Sequence, residues 1–147
     1  VFTRIVVGTD GSDTAAEAVR QAIDLAKLSG AQLSIVSAYE PLSQRQVEAE
    51  KEGAPADVQH EIGPREDVNL VLDAAASSAR KEGVEVQTHP VEGEPAEAIL
   101  TAAEETKADL ILVGNKGMTG ARRFLLGSVP NNVSHHAPCS VMIVRTT

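Results

Sequence analysis

Residues 109–128 read Asp109-Leu110-Ile111-Leu112-Val113-Gly114-Asn115-Lys116-Gly117-Met118-Thr119-Gly120-Ala121-Arg122-Arg123-Phe124-Leu125-Leu126-Gly127-Ser128, and this stretch decides the fold class. The short apolar run has the length and composition of a buried strand. It empties into a glycine-punctuated loop. Gly114 and Gly117 carry no Cβ, so the chain there can turn with positive φ or come close to a ligand without steric cost. Gly127-Ser128 suits the start of a helix, with Ser128 as N-cap and Pro130 tolerated in the first turn. A helix start gathers unpaired N–H groups and about half a positive charge, which favours an anion. Lys116, Arg122 and Arg123 add cationic side chains to the same loop.

Charge is distributed to match. Residues 1–109 hold all 21 acids and 9 of the 13 bases, whereas residues 110–147 hold 4 bases and no acid, within a chain of net charge −8. The net-basic segment is the one that contains the glycine loop.

Working outward, the chain alternates strand and helix. Strand one is Arg4 to Gly8, followed by a turn at Thr9 to Ser12. Helix one carries Ala15, Ala18, Val19, Ala22, Ile23 and Ala26 at helical spacing, with Thr14 and Glu17 placed as a capping box and Ser29-Gly30 as the stop. Strand two is Gln32 to Ala38. Residues 40–64 hold many charges and prolines and no sustained apolar period, and read as an exposed excursion, with both an ordered and a disordered state open. Helix two resumes at Val68, Val71, Leu72, Ala75 and Ala79. Strand three, Glu85 to Val91, carries Pro90 and reads as a sheet edge. Gly93-Glu94-Pro95 opens helix three, which turns Ala96, Ile99, Leu100 and Ala103 inward. Strand four is Asp109 to Val113. A last helix covers about Ser128 to His136, and strand five is Ser140 to Val144.

This alternation predicts one α/β domain over residues 1–147: a doubly wound open sheet of five parallel strands, order 3-2-1-4-5, with helices on both faces. In that order strands one and four are neighbours whose connections leave in opposite directions. Ligands bind at such a switch point, beyond the strand C-termini. The glycine-ended strands are the first and the fourth, so Gly8 to Ser12 and Gly114 to Gly117 are expected to face one another.

Gly114, two residues, Gly117, nine residues, then Gly127-Ser128 resembles the nucleotide-binding pattern of the universal stress protein family, and Val6-Val7-Gly8-Thr9-Asp10-Gly11-Ser12 resembles that family's first strand and turn. The likeness runs over essentially the whole chain. It implies an ATP-binding regulatory protein of the stress response, with ATP, AMP and cyclic AMP all open as the adenine nucleotide. The nucleotide-binding residues it implies are Gly8, Thr9, Asp10, Gly11, Ala38, Gly114, Asn115, Lys116, Gly117, Met118, Gly127, Ser128 and Val129. Asp10 is placed either to accept hydrogen bonds from a ribose or to help hold a metal, Mg2+, on the phosphates. Ala38 would form part of the adenine wall. The resemblance also implies a homodimer through strand five, residues 140–145, where Val141-Met142-Ile143-Val144 is apolar although it lies at a sheet edge.

Several chemistries are excluded. The chain has no Walker A loop and no Rossmann Gly-x-Gly-x-x-Gly. Asn115-Lys116 begins like a guanine-recognition motif, but Met118 stands where its aspartate would be. Ser128 lacks a nucleophile elbow. His60 reads as solvated, His89 lies in a strand without an evident partner, and His135 and His136 suit a helix C-terminus better than a metal site. No catalytic set emerges, which leaves a slow ATP hydrolase built on Asp10 and a divalent ion, or an interaction module without a nucleotide, as the rival readings. An acidic pI near 4.9 and three aromatics, Phe2, Tyr39 and Phe124, argue against a nucleic-acid surface. The single cysteine, Cys139, reads as a buried inert thiol in a reducing compartment. With no signal-peptide pattern and no apolar run of about 18 residues, the expectation is a cytoplasmic protein without a membrane partner.

Overall fold

Ile5, Val6 and Val7 are each at most 1% exposed although successive side chains point to opposite faces, so β1 (Arg4–Gly8) is a strand covered on both sides. Leu110, Ile111, Leu112 and Val113 of β4 (Leu110–Gly114) are each at most 3% exposed, so it too is covered on both sides. A continuous apolar run in each is what a central parallel strand requires.

The computed structural model describes residues 2–40, 64–115 and 127–146. Between the two central strands come α1 (Asp13–Ser29), β2 (Gln32–Tyr39), α2 (Pro64–Lys81), β3 (Val86–Glu92) and α3 (Pro95–Thr106); after β4 come α4 (Ser128–His136) and β5 (Ser140–Val144). The expected excursion at 40–64 lies, apart from its two ends, outside the described residues. The five strands form one parallel sheet of order β3-β2-β1-β4-β5, as the sequence predicts. Its doubly wound character follows from the two cores. On one face α1 and α2 pack Ala18, Val19, Ala22, Ile23, Val68 and Leu72 against Ile5, Val7, Leu33, Ile35, Leu110 and Leu112. On the other, α3 and α4 pack Ala96, Ile99, Ala102, Ala103 and Val133 against Val6, Val36, Ile111 and Val113. Alanine at the helix contacts lets the layers approach closely, and explains a core almost free of aromatics.

β2 ends at Tyr39 rather than Ala38 and β3 covers Val86–Glu92 rather than Glu85 to Val91, and local chemistry decides three further boundaries. The N-cap of α1 is Ser12, whose Oγ accepts the Ala15 N–H at 3.1 Å. The expected box of Thr14 and Glu17 does not form: Thr14 Oγ1 lies 3.0 Å from Ser12 Oγ, and the Glu17 carboxylate is held by Arg20 and Gln21. Strand β4 begins at Leu110 rather than Asp109. The Asp109 carboxylate accepts the Thr3 N–H at 2.8 Å, the Thr3 hydroxyl at 2.9 Å and the Arg4 N–H at 3.1 Å, tying the entry of β1 to that of β4. Finally, the N-cap of α4 is Gly127, not Ser128.

The sheet edges behave differently. β3 carries Pro90, which cannot donate to a ladder. On β5, Met142 and Ile143 are each 39% exposed at the open edge.

Candidate functional site

β1 and β4 pair in parallel through Ile5–Leu110, Val6–Ile111 and Val7–Leu112. Their C-terminal ends therefore lie side by side where one connection leaves toward β2 and the other toward β5, and a cleft opens there. Its lining comes from every surrounding element: Gly8, Thr9, Asp10 and Ser12 from the end of β1 and the turn, Ala15 from α1, Val36 and Ala38 from β2, Pro95 and Ile99 from α3, Val113 and Gly114 from β4, and Val129 and Pro130 from α4.

Gly8 is a glycine for reasons of space. A Cβ there would stand 2.5 Å from Ile99 Cδ1, so the methyl group of α3 already occupies that volume. The turn that follows is closed on itself. Thr9 N–H donates to Val36 O at 2.9 Å, Gly11 N–H to Thr9 Oγ1 at 3.1 Å, and Ser12 N–H to Asp10 Oδ1 at 2.9 Å. Gly11 takes φ 82°, a left-handed value that favours glycine, and a Cβ on it would also meet Val71 Cγ2 of α2 at 2.8 Å. The described glycines with left-handed φ are Gly11, Gly30, Gly83 and Gly93; Gly114 ends its strand without one.

The β4 side is built the other way. Asn115 N–H donates to Val144 O at 2.9 Å, and Asn115 O accepts the Gly127 N–H at 3.0 Å, a direct link between the end of β4 and the start of α4. Gly127 then caps α4 with no side chain to offer. Of the first-turn residues Ser128, Val129 and Pro130, proline has no N–H, so Ser128 and Val129 are the ones whose backbone donors have no partner within the helix. Val129 and Pro130 reach the cleft itself. The result is an apolar slot, formed by Val36, Ala38, Pro95, Ile99 and Val113, that runs from hydroxyl and carboxylate groups on one turn to a helix N-terminus on the other.

Six of the thirteen residues singled out from sequence line this cleft: Gly8, Thr9, Asp10, Ala38, Gly114 and Val129. Gly11, Asn115, Gly127 and Ser128 sit in the adjoining turns. Lys116, Gly117 and Met118 lie outside the described residues, as do Arg122 and Arg123. Sequence reasoning placed Ser12 in the facing turn without naming it a binding residue, and missed Ala15, Val36, Pro95, Ile99, Val113 and Pro130. Most of these read as ordinary core or helix-opening residues, and only the layer packing turns them toward a shared cavity.

Elsewhere the chemistry is sparse. Among the described residues, no three or more His, Cys, Asp or Glu side chains are placed to share a metal ion. His89 is half-buried, and burial pushes its pKa below the usual value against the opposing pull of Glu105. Its Nε2 has no hydrogen-bond partner. His135 and His136 are exposed, with ring centroids 6.4 Å apart at the end of α4. Cys139 is half-buried rather than buried, and burial followed by the nearby Asp109 charge raises its thiol pKa, which keeps it protonated. No described helix is long and apolar enough to cross a membrane.

The sequence model of the Universal stress protein family matches residues 2–145. A universal stress protein of Mycobacterium tuberculosis is 37% identical over 147 residues, spanning 99% of this chain and 98% of that protein. Among solved structures, a universal stress protein in complex with cAMP is 35% identical with a TM-score of 0.73, covering 99% of this chain and 98% of its own. The universal stress protein of Archaeoglobus fulgidus in complex with dAMP is 26% identical with a TM-score of 0.67, covering 97% and 98%. On its strand order, its two-faced core and a match over nearly its full length, this chain belongs to the universal stress protein family.

Proposed function

We propose that the cleft between β1 and β4 binds an adenine nucleotide and that its occupancy makes the protein a regulatory switch. The observation that carries this reading is the continuity of an apolar slot with the uncapped N-terminus of α4. A flat base fits between Ala38, Val36, Ile99 and Val113, the ribose meets Thr9 and Asp10, and phosphate is drawn to the Ser128 and Val129 amides. The relatives that hold cAMP and dAMP support the same ligand class. ATP is the default within it, because the segment 110–147, with four bases and no acid, carries more positive charge than a single phosphate needs.

Asp10 decides between two roles. One of its oxygens is committed to Ser12 N–H, which leaves the other for a ribose hydroxyl or for Mg2+ carried on the phosphates, an ion that commonly takes a single carboxylate oxygen from the protein. Calorimetry with ATP, AMP and cyclic AMP, each with and without Mg2+, tests the reading. Binding of at least one of them in the micromolar range supports it, and the absence of heat with all three would leave an interaction module as the function. An Asp10→Asn variant that binds as well as the parent but loses its Mg2+ dependence assigns the metal role. Phosphate release abolished by the same change would make the protein a slow ATP hydrolase.

The open edge of β5 suits a second copy of this chain, pairing over about residues 140–145 and covering Met142 and Ile143. Sedimentation should show a dimer at micromolar concentration that Ile143→Pro dissociates; a monomeric parent rules the pairing out. The cytoplasm is the compartment that fits a free cysteine and a nucleotide ligand. Neither nucleic acid nor a membrane is a partner in this reading.

A further inference from the structure

Asn115 is the point at which three segments of the chain meet, and its bonds reach well beyond the cleft. Its N–H donates to Val144 O and its carbonyl accepts the N–H of Gly127, the N-cap of α4. Its side-chain Oδ1 accepts twice from Thr146, from the backbone N–H at 2.9 Å and from the hydroxyl at 2.8 Å. One residue thus fixes where α4 begins and where the chain beyond β5 is seated.

We infer that Asn115 is a positioning residue that couples occupancy of the cleft to the seating of the C-terminal segment. This rests on the nucleotide reading above. Phosphate held by the Ser128 and Val129 amides favours the placement of Gly127 in which its N–H meets Asn115 O. That placement holds the Asn115 backbone, and with it the side-chain oxygen that receives Thr146. The coupling runs equally in reverse, because two equilibria linked through one residue must change each other by the same factor. Thr146 is not among the described residues that line the cleft, and its route to it runs through the two bonds to Asn115 Oδ1. The residue type fits the role. A neutral amide oxygen accepts two donors without setting a negative charge beside an anion, which aspartate in its place would do.

Among the described residues β5 is the last strand of the sheet and pairs with β4 alone. The segment that Asn115 seats is therefore the continuation of the open edge. A ligand signal delivered to Thr146 arrives at the part of the surface best placed to pass it to a partner chain.

The test titrates ATP, AMP and cyclic AMP into the parent, Thr146→Val, Thr146→Ser and Asn115→Ala, and follows hydrogen exchange at the Thr146 amide with and without each nucleotide. Thr146→Val, which removes the hydroxyl donor, should weaken binding roughly two- to fivefold, the worth of one modest hydrogen bond. Thr146→Ser should restore it. Saturating nucleotide should slow exchange of the Thr146 amide several-fold in the parent but not in Asn115→Ala. If the parent binds and neither the affinity of Thr146→Val nor the exchange rate moves, the contact is only a tether and the inference is overturned while the nucleotide reading stands. If the parent binds none of the three, both fall together.

Discussion

The two turns that face each other across the cleft solve the same geometric problem in opposite ways. After β1, the chain satisfies itself: Thr9, Asp10 and Ser12 side chains accept the N–H groups of Gly11, Ser12 and Ala15 in succession. After β4, the corresponding helix start has a glycine for a cap and a proline in its first turn. The first turn is a wall whose Gly11, Ser12 and Ala15 donors are spent on its own side chains, and the second ends in a helix start whose first N–H groups have no partner within the helix. A site for a nucleotide needs both, since a ligand is oriented by what cannot move and held by what is still unpaired.

The largest effect comes from removing the space between them. Gly8→Val places a branched side chain where Ile99, 5% exposed, already lies within 2.5 Å of the new Cβ position. Overpacking of this kind costs about 1–3 kcal/mol, and because Gly8 and Ile99 both line the cleft, nucleotide binding should be lost with it. Denaturant melts and calorimetry on the same samples check both effects. A fully stable variant with parental affinity would mean that the base does not lie over this strand end.

Gly127→Asp tests the open turn with the opposite sign on stability. Gly127 has φ −63° and ψ 164°, extended values that any residue adopts. An aspartate there can cap the Val129 N–H and should hold or raise stability by a few tenths of a kcal/mol. It also spends a donor and sets a negative charge where phosphate is expected, so affinity should fall by on the order of tenfold or more. A thermal melt that rises while affinity is unchanged would take α4 out of the site.

Sheet order and the position of the cleft were legible because β1 and β4 are uninterrupted apolar runs ending in glycine, a pattern that only central strands of a parallel sheet need. The caps were less legible. Ser12, Asp13 and Thr14 are three cap-competent residues in a row, and the structure chooses Ser12 because its hydroxyl reaches Ala15 N–H. Gly127 and Ser128 pose the same ambiguity, resolved one residue earlier than expected. Asp109 has the right place for a strand residue, yet its carboxylate is taken by Thr3 and Arg4 across more than a hundred residues. The part of the apolar wall that comes from α3 was hidden for a different reason. Pro95 and Ile99 belong to a helix on the far layer, and nothing in their local pattern separates a residue facing a cavity from one facing the core. The Asn115–Thr146 contact depends on β4–β5 register, which local sequence does not state.

Ser12→Ala measures the closed turn alone. Its Oγ is engaged by Ala15 N–H and Thr14, so losing it should cost about 1 kcal/mol of stability, the usual worth of an N-cap. Affinity for nucleotide should stay within about twofold of the parent. A larger fall in affinity than in stability would show that the hydroxyl leaves its cap to meet the ligand, and the contrast between a spent turn and an open one would no longer hold.

The smallest effect on binding is at the other end of the same two strands, where Asp109 ties the entry of β1 to that of β4. Burial opposes its ionisation, but the hydrogen bonds from Thr3 and Arg4 outweigh that and hold the carboxyl below its ordinary value of 3.8. A carboxyl that is more acidic folded than unfolded contributes its stabilisation in full above the unfolded value. The contribution declines as pH falls toward the folded value and is gone below it. Asp109→Asn retains one acceptor oxygen but offers an NH2 where Thr3 and Arg4 also present donors, and should cost on the order of 1 kcal/mol at neutral pH. The gap between parent and variant in denaturant melts should be constant from neutrality down to about pH 5 and narrow on further acidification. A gap that stays constant below the ordinary carboxylate range would mean that the ionised form is not what the three donors recognise. Since the site is far from these bonds, affinity per folded molecule should not change. If it does, the register of β1 on β4 is set partly at this end, and the rigid wall owes its position to the whole strand pair as well as to its own turn.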